Sequence, residues 1–217
     1  MTTAIIIGLI LQTAGTVLLL GGYAPQIIKL HKTKIPTGIS LLFWTMIGTG
    51  CTAILINMIL QGTSLPVMIT QALNAIGAWY TLFLVIYCRK IHGEPIKVNK
   101  FILLIAIILF VGMYIQLHGQ ALGAIGYGFQ GLGTVALLTA YIPQIIHLFK
   151  VKDATGISRW LFIVLGSGLL CVTVNMIITG TSVGIIVTEF VNIALILVQY
   201  FMTIYYQNIK QKNCKND

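Results

Sequence analysis

Along the 217 residues, long apolar runs alternate with short polar connections. The runs are too long for buried strands and too uniformly apolar for the one-sided helices of a water-soluble domain. They fall at 5–30, 39–60, 65–88, 101–117, 121–149, 160–178 and 183–206, each near the ~20 residues an α-helix needs to cross the hydrocarbon of a bilayer. The pattern predicts an all-α integral membrane protein with seven transmembrane helices, and the spans with their short connections take up nearly all of these residues. The first run lacks the positively charged segment and the small-residue cleavage site of a secretory signal, so it is expected as a span.

Composition points the same way, with 58% hydrophobic and 8% charged residues. The charges add a topology. All thirteen Lys and Arg fall into four groups: Lys29, Lys32 and Lys34; Arg89, Lys90, Lys97 and Lys100; Lys150, Lys152 and Arg159; and Lys210, Lys212 and Lys215. With seven spans these are the connections after the first, third and fifth spans and the C-terminal tail, all on one side. The positive-inside rule makes that side cytoplasmic and leaves the N-terminus outside. The net charge of +9 sits in short juxtamembrane groups without interleaved aromatics, so membrane lipid and not nucleic acid is the expected partner. Cys51, Cys88, Cys171 and Cys214 form no disulfide framework, and His31, His92, His118 and His147 have no metal-ligand spacing. No nucleophile with a base, phosphate-cradling loop or paired carboxylates occur in the spans, so no enzyme, metal or cofactor is expected. A homo-oligomer is compatible with the pattern.

An offset of 118 aligns residues 12–75 with 130–193 without a gap, and 28 of 64 positions are identical. The matches include Gly15 with Gly133, Tyr23 with Tyr141, Pro25-Gln26 with Pro143-Gln144, Thr37-Gly38-Ile39-Ser40 with Thr155-Gly156-Ile157-Ser158, Asn57 with Asn175, and Asn74 with Asn192. Shared hydrophobicity does not preserve such positions, so the chain is an internal duplication. Residues 1–90 are expected to form the first three-helix repeat and 121–209 the second. Residues 91–120 carry an unmatched inversion helix that restores the orientation of the second copy, and 210–217 form a cytoplasmic tail. The expected architecture is 3+1+3, two parallel repeats about an axis along the membrane normal.

A Pro-Gln pair near the basic end of the first helix of each unit, followed by a basic loop and Thr-Gly-Ile-Ser, resembles the PQ-loop superfamily. That group includes the SWEET sugar facilitators, their half-size bacterial relatives and the cystinosin-type amino-acid exporters. The resemblance covers both repeats and implies a transporter of a small polar solute working by alternating access. A neutral sugar is the favoured solute, and a proton-coupled amino acid or related metabolite is the alternative. A membrane receptor or sensor is a more distant one, because the superfamily fold also resembles a receptor that recycles peptide-tagged proteins.

Proline inside a helix removes a backbone donor and clashes with the carbonyl four residues earlier, so Pro25 and Pro143 are expected to loosen the ladder at Gly21 and Thr139. Gln26 and Gln144 are expected to satisfy the freed backbone groups, with Gly21 and Gly22 adding freedom to the first site. This reads either as a hinge, with Tyr23 and Tyr141 as gate residues, or as a static kink. Asn74 and Asn192 fall near the middle of their spans, where an amide facing lipid is costly. They read as a substrate-binding pair, as the resemblance also implies, or as interhelical hydrogen bonds. Glu189, whose counterpart is Gln71, lies three residues before Asn192 and hence on nearly the same helix face. It reads as a proton-coupling group or as a hydrogen-bonded carboxyl near the outer vestibule. Trp44 and Trp79 could stack on a sugar ring or simply pack, Trp160 is expected at the headgroup level, and Asn57 and Asn175 near the outer ends of their spans.

Overall fold

The computed structural model of the protein describes residues 3–62, 65–94, 122–180 and 183–213. The expected span at 101–117 lies outside the described residues. Those residues form seven α-helices and no strand: α1 (Thr3–Gly21), α2 (Ala24–Thr33), α3 (Leu41–Leu60), α4 (Leu65–Ile91), α5 (Leu122–Val151), α6 (Arg159–Ile178) and α7 (Val183–Asn213). Six stretches among them are long and apolar enough to cross a membrane, with α1 and α2 together making one of 28 residues, Ile6–Thr33. The chain is an all-α, multi-pass membrane protein.

Helix ends follow local chemistry and repeat with the sequence. Lys34 ends α2 at φ 56° and Lys152 ends α5 at φ 53°, and their backbone N–H groups donate to Leu30 O and Leu148 O at 2.9 and 2.8 Å. This left-handed cap satisfies carbonyls that a helix end would otherwise leave open. Ser40 precedes α3, and its Oγ accepts from the Phe43 N–H at 3.3 Å. Gly62 and Gly180 close α3 and α6 at φ +63° and +70°, where a side chain would be strained.

Packing divides the chain into two compact units, residues 1–39 with 145–217 and residues 40–144. These units cut across the duplication. Each takes the first helix of one repeat and the second and third helices of the other.

In the first unit α1 packs on α6, and α7 on α6. The α1–α6 contact is close because it is made at glycines. A Cβ on Gly15 would stand 2.9 Å from Gly168 O, and one on Gly168 3.0 Å from Gly15 O. In the second unit α3 packs on α4, and α5 meets α3 at Gly133 and Gly50, where either Cβ would lie 3.0 Å from the other's carbonyl oxygen. Gly50 and Gly168 are themselves counterparts at the 118-residue offset. Small residues are what allow helix backbones to approach in lipid, where apolar burial gives no driving force between helices.

Candidate functional site

The two Pro-Gln pairs sit at the basic ends of the units, and each glutamine reaches the Thr-Gly-Ile-Ser turn of the other repeat. In the first unit the buried Gln26 grips the Thr-Gly-Ile-Ser turn of the second repeat: Nε2 donates to Gly156 O at 2.9 Å, and Oε1 accepts from the Ser158 N–H at 2.8 Å. In the second unit the buried Gln144 accepts from the N–H of Ser40, at the end of the first repeat's turn, at 2.8 Å. The expectation that these amides would satisfy carbonyls freed by proline is corrected for Gln26, whose amide nitrogen and oxygen both bind the second repeat's turn. Each glutamine lies five positions past the carbonyl concerned, about 140° around the helix axis, so it points to a neighbour instead.

Backbone geometry at the two prolines differs. α1 stops at Gly21, Gly22 N–H turns back to Leu19 O at 3.3 Å, and α2 begins at Ala24 with Pro25 in its first turn. Proline is favourable there, because its missing N–H has no helical partner to lose. A Cβ on Gly22 would stand 2.2 Å from Leu165 Cδ2, so only glycine fits without displacing that side chain. By contrast α5 runs unbroken through Pro143, with the Thr139 hydroxyl donating to Val135 O at 2.6 Å.

The turns themselves are closely fitted. In the first unit the Gly156 N–H donates to Thr37 O at 3.0 Å, and a Cβ on Gly156 would come within 2.5 Å of Ile35 O. A Cβ on Gly38 would lie 2.2 Å from Asp153 O. The end of α7 fastens the second turn from outside, with Gln207 Nε2 donating to Ala154 O and Ile157 O, both at 2.8 Å, while Lys210 pairs with Asp153. Burial pushes the Asp153 carboxyl up, but hydrogen bonds from Lys210 and from the Thr155 hydroxyl and N–H outweigh it, so its pKa is held below the ordinary aspartate range.

Toward the opposite ends, a second polar tie joins the same helix pairs. Asn175 Nδ2 donates to Gln12 Oε1 and Asn57 Nδ2 to Gln130 Oε1, each at 2.9 Å. Asn57 and Asn175 were expected at this level. Gln12 and Gln130 were not singled out, although they are identical polar residues at one offset inside apolar runs.

Along the helices between, Asn74 on α4 and Asn192 on α7 each hold a buried Oδ1 with no hydrogen-bond partner among the described residues. Asn192 Nδ2 donates to Glu189 Oε2 at 3.2 Å. Gln71 and Trp79 are engaged in the α3–α4 contact: Gln71 Nε2 donates to Cys51 O at 2.9 Å, and the Trp79 indole N–H to Thr52 Oγ1 at 3.0 Å. Trp44 is buried with its ring edge-on to Phe43, centroids 5.1 Å apart, and Phe43 lies 5.8 Å from Tyr141. Tyr23 is buried just before Pro25, and Trp160 is exposed.

These features define a class: a multi-pass membrane protein of two tandem copies, each with a Pro-Gln pair tied into the glycine turn of the other copy. The family model for the PQ loop repeat matches residues 7–67 and again residues 125–185, more than half of the chain. The protein therefore belongs to the PQ-loop family, with two repeats. A comparison with curated proteins finds no match. PQ-loop family membrane proteins are generally transporters rather than enzymes.

Proposed function

We propose that this chain carries a small polar solute across the bilayer by alternating access. The reading takes the seven spans as a 3+1+3 arrangement of parallel repeats, with the N-terminus outside and the C-terminus in the cytoplasm. The observation that carries it is the pair of buried carbonyl oxygens of Asn74 and Asn192, at equivalent positions of the two repeats and without a hydrogen-bond partner among the described residues. A buried acceptor left unsatisfied costs about 1–3 kcal/mol, which donors on a bound solute would offset. Uncharged amides favour a neutral sugar. Gln71, Trp44 and Trp79 would shape the site, and bending at Pro25 and Pro143, with Tyr23 and Tyr141 as gates, would expose it to one side at a time. Gln26 and Gln144 would then hold or release the turns they bind.

The bond between Glu189 and Asn192 favours a second reading, a proton-coupled amino-acid or related carrier, because it joins an ionisable carboxyl to the proposed binding amide. A receptor or sensor would bind ligand without flux. Thermal stabilisation of the purified protein by a panel of sugars, amino acids and nucleosides tests the site. The expected result is a stabilising ligand whose effect is lost in both Asn74→Ala and Asn192→Ala. Stabilisation that survives the double substitution would place the site elsewhere.

A further inference from the structure

At the basic end of the first unit, an open groove of about 460 Å³ runs between α2 and α6. Its floor is apolar, formed by Pro25, Ile28 and Val164, and Ile28, which lies within a span, is 52% exposed, as suits a side chain open to lipid. At the mouth stand two lysines one turn apart. Lys29 Nζ donates one of its protons to Ile157 O at 2.7 Å, and Lys32 is exposed, with no ion pair among the described residues. The charges that bear on Lys29 are the guanidinium of Arg159 and the carboxylate of Asp153, and Asp153 is already paired with Lys210. The mouth therefore carries excess positive charge. Trp160, 64% exposed, forms the far rim.

From this geometry we infer that the groove is a specific site for an anionic phospholipid, one acyl chain lying on the floor and the phosphate held by Lys29 and Lys32. A soluble anion would use the ammonium groups but gain nothing from the apolar floor, whereas a zwitterionic lipid would fill the floor but gain little at the mouth. The amphipathic indole of Trp160 suits the headgroup boundary between the two. The duplication supplies a built-in contrast, since the counterparts of Lys29 and Trp160 are His147 and Leu42. Lys32 has its counterpart in Lys150, so charge alone is present on both copies and the full constellation on one. Because α2 begins directly after the break at Gly21, a lipid seated here bears on the segment that carries Pro25.

The test compares purified protein in nanodiscs of phosphatidylglycerol and of phosphatidylcholine, with co-purified lipid counted by native mass spectrometry. The wild type is expected to retain one more tightly held phosphatidylglycerol than phosphatidylcholine. Lys32→Gln should weaken that retention about fivefold, the effect of one basic residue near an anionic headgroup. Val164→Trp, which fills the floor, should abolish it, while Lys150→Gln should leave it unchanged. Lys32 is exposed, so its variant reports even if Val164→Trp fails to fold. Equal retention of the two lipids by the wild type, or equal losses from Lys32→Gln and Lys150→Gln, would overturn the inference.

Discussion

In the first unit the helix bearing the Pro-Gln pair stops at Gly21 and restarts at Ala24, whereas in the second the equivalent helix continues from Leu122 to Val151 through Pro143. The motif is the same in both, and so are the turn it grips and the polar tie at the opposite end. The local sequence differs at the pair before the tyrosine, Gly21-Gly22 in one copy and Thr139-Ala140 in the other, and at the residue before the proline, Ala24 and Ile142. Proline alone removes one hydrogen bond, a loss that a good helix former can absorb and that two glycines cannot, because their unfolded freedom is greatest. The two units thus share a frame and differ in how readily one helix bends.

Substitutions at the glycine crossings should have the largest effect and should strike both units alike. Gly15→Leu and Gly50→Leu each drive a side chain into a facing backbone, and a loss of about 3 kcal/mol is expected from overpacking. Loss of monodisperse protein and a lowered melting temperature would report it, and tolerance at one site alone would break the equivalence of the units. Removing the glutamines comes next. Gln26→Leu leaves Gly156 O and Ser158 N–H without their partner, at about 1–3 kcal/mol for each buried group, and Gln144→Leu should act similarly through Ser40. Faster proteolysis at the turns of 34–40 and 152–158 checks this.

A smaller effect should sharpen the contrast between the prolines. Thr139→Gly with Ala140→Gly should cost roughly 1–2 kcal/mol in helix propensity and raise amide exchange before Pro143. Gly21→Ala, whose Cβ would meet nothing within 4 Å, should slow exchange before Pro25. Unchanged exchange in both would show that the glycine pair does not set the break.

The smallest effect concerns Asp153. Its folded pKa is lowered, so the stability it contributes is complete above the ordinary aspartate range and is lost as pH falls through the lowered value. For this partly exposed group the contribution should be under about 1 kcal/mol. Melting temperature measured from pH 6 to about pH 3 should fall less steeply in Lys210→Met than in the wild type.

Much of this was legible in the residues. Run length and the 118-residue offset marked six of the expected spans and the duplication, because hydrophobic thickness and copied polar positions leave direct marks on sequence. The partners of the repeated residues were not legible, since an alignment of one copy on the other is identical whether a helix packs within its own copy or across to the next. For that reason the repeat does not reveal that Gln26 and Gln144 reach the other copy's turn, or that Gln12 and Gln130 pair with Asn175 and Asn57. The different outcomes at Pro25 and Pro143 were half visible in Gly21-Gly22, but the contact with Leu165, which a Cβ on Gly22 would displace, exists only in the packed unit.

The proposal that the chain moves a solute is tested most directly by flux into proteoliposomes containing an internal pH dye, using the ligands that stabilise the protein. The account predicts saturable sugar counterflow without proton uptake, lost in Asn74→Ala and in Asn192→Ala. Amino-acid-driven proton uptake abolished by Glu189→Gln would replace the sugar reading with the proton-coupled one, and binding without flux for every stabilising ligand would contradict transport itself.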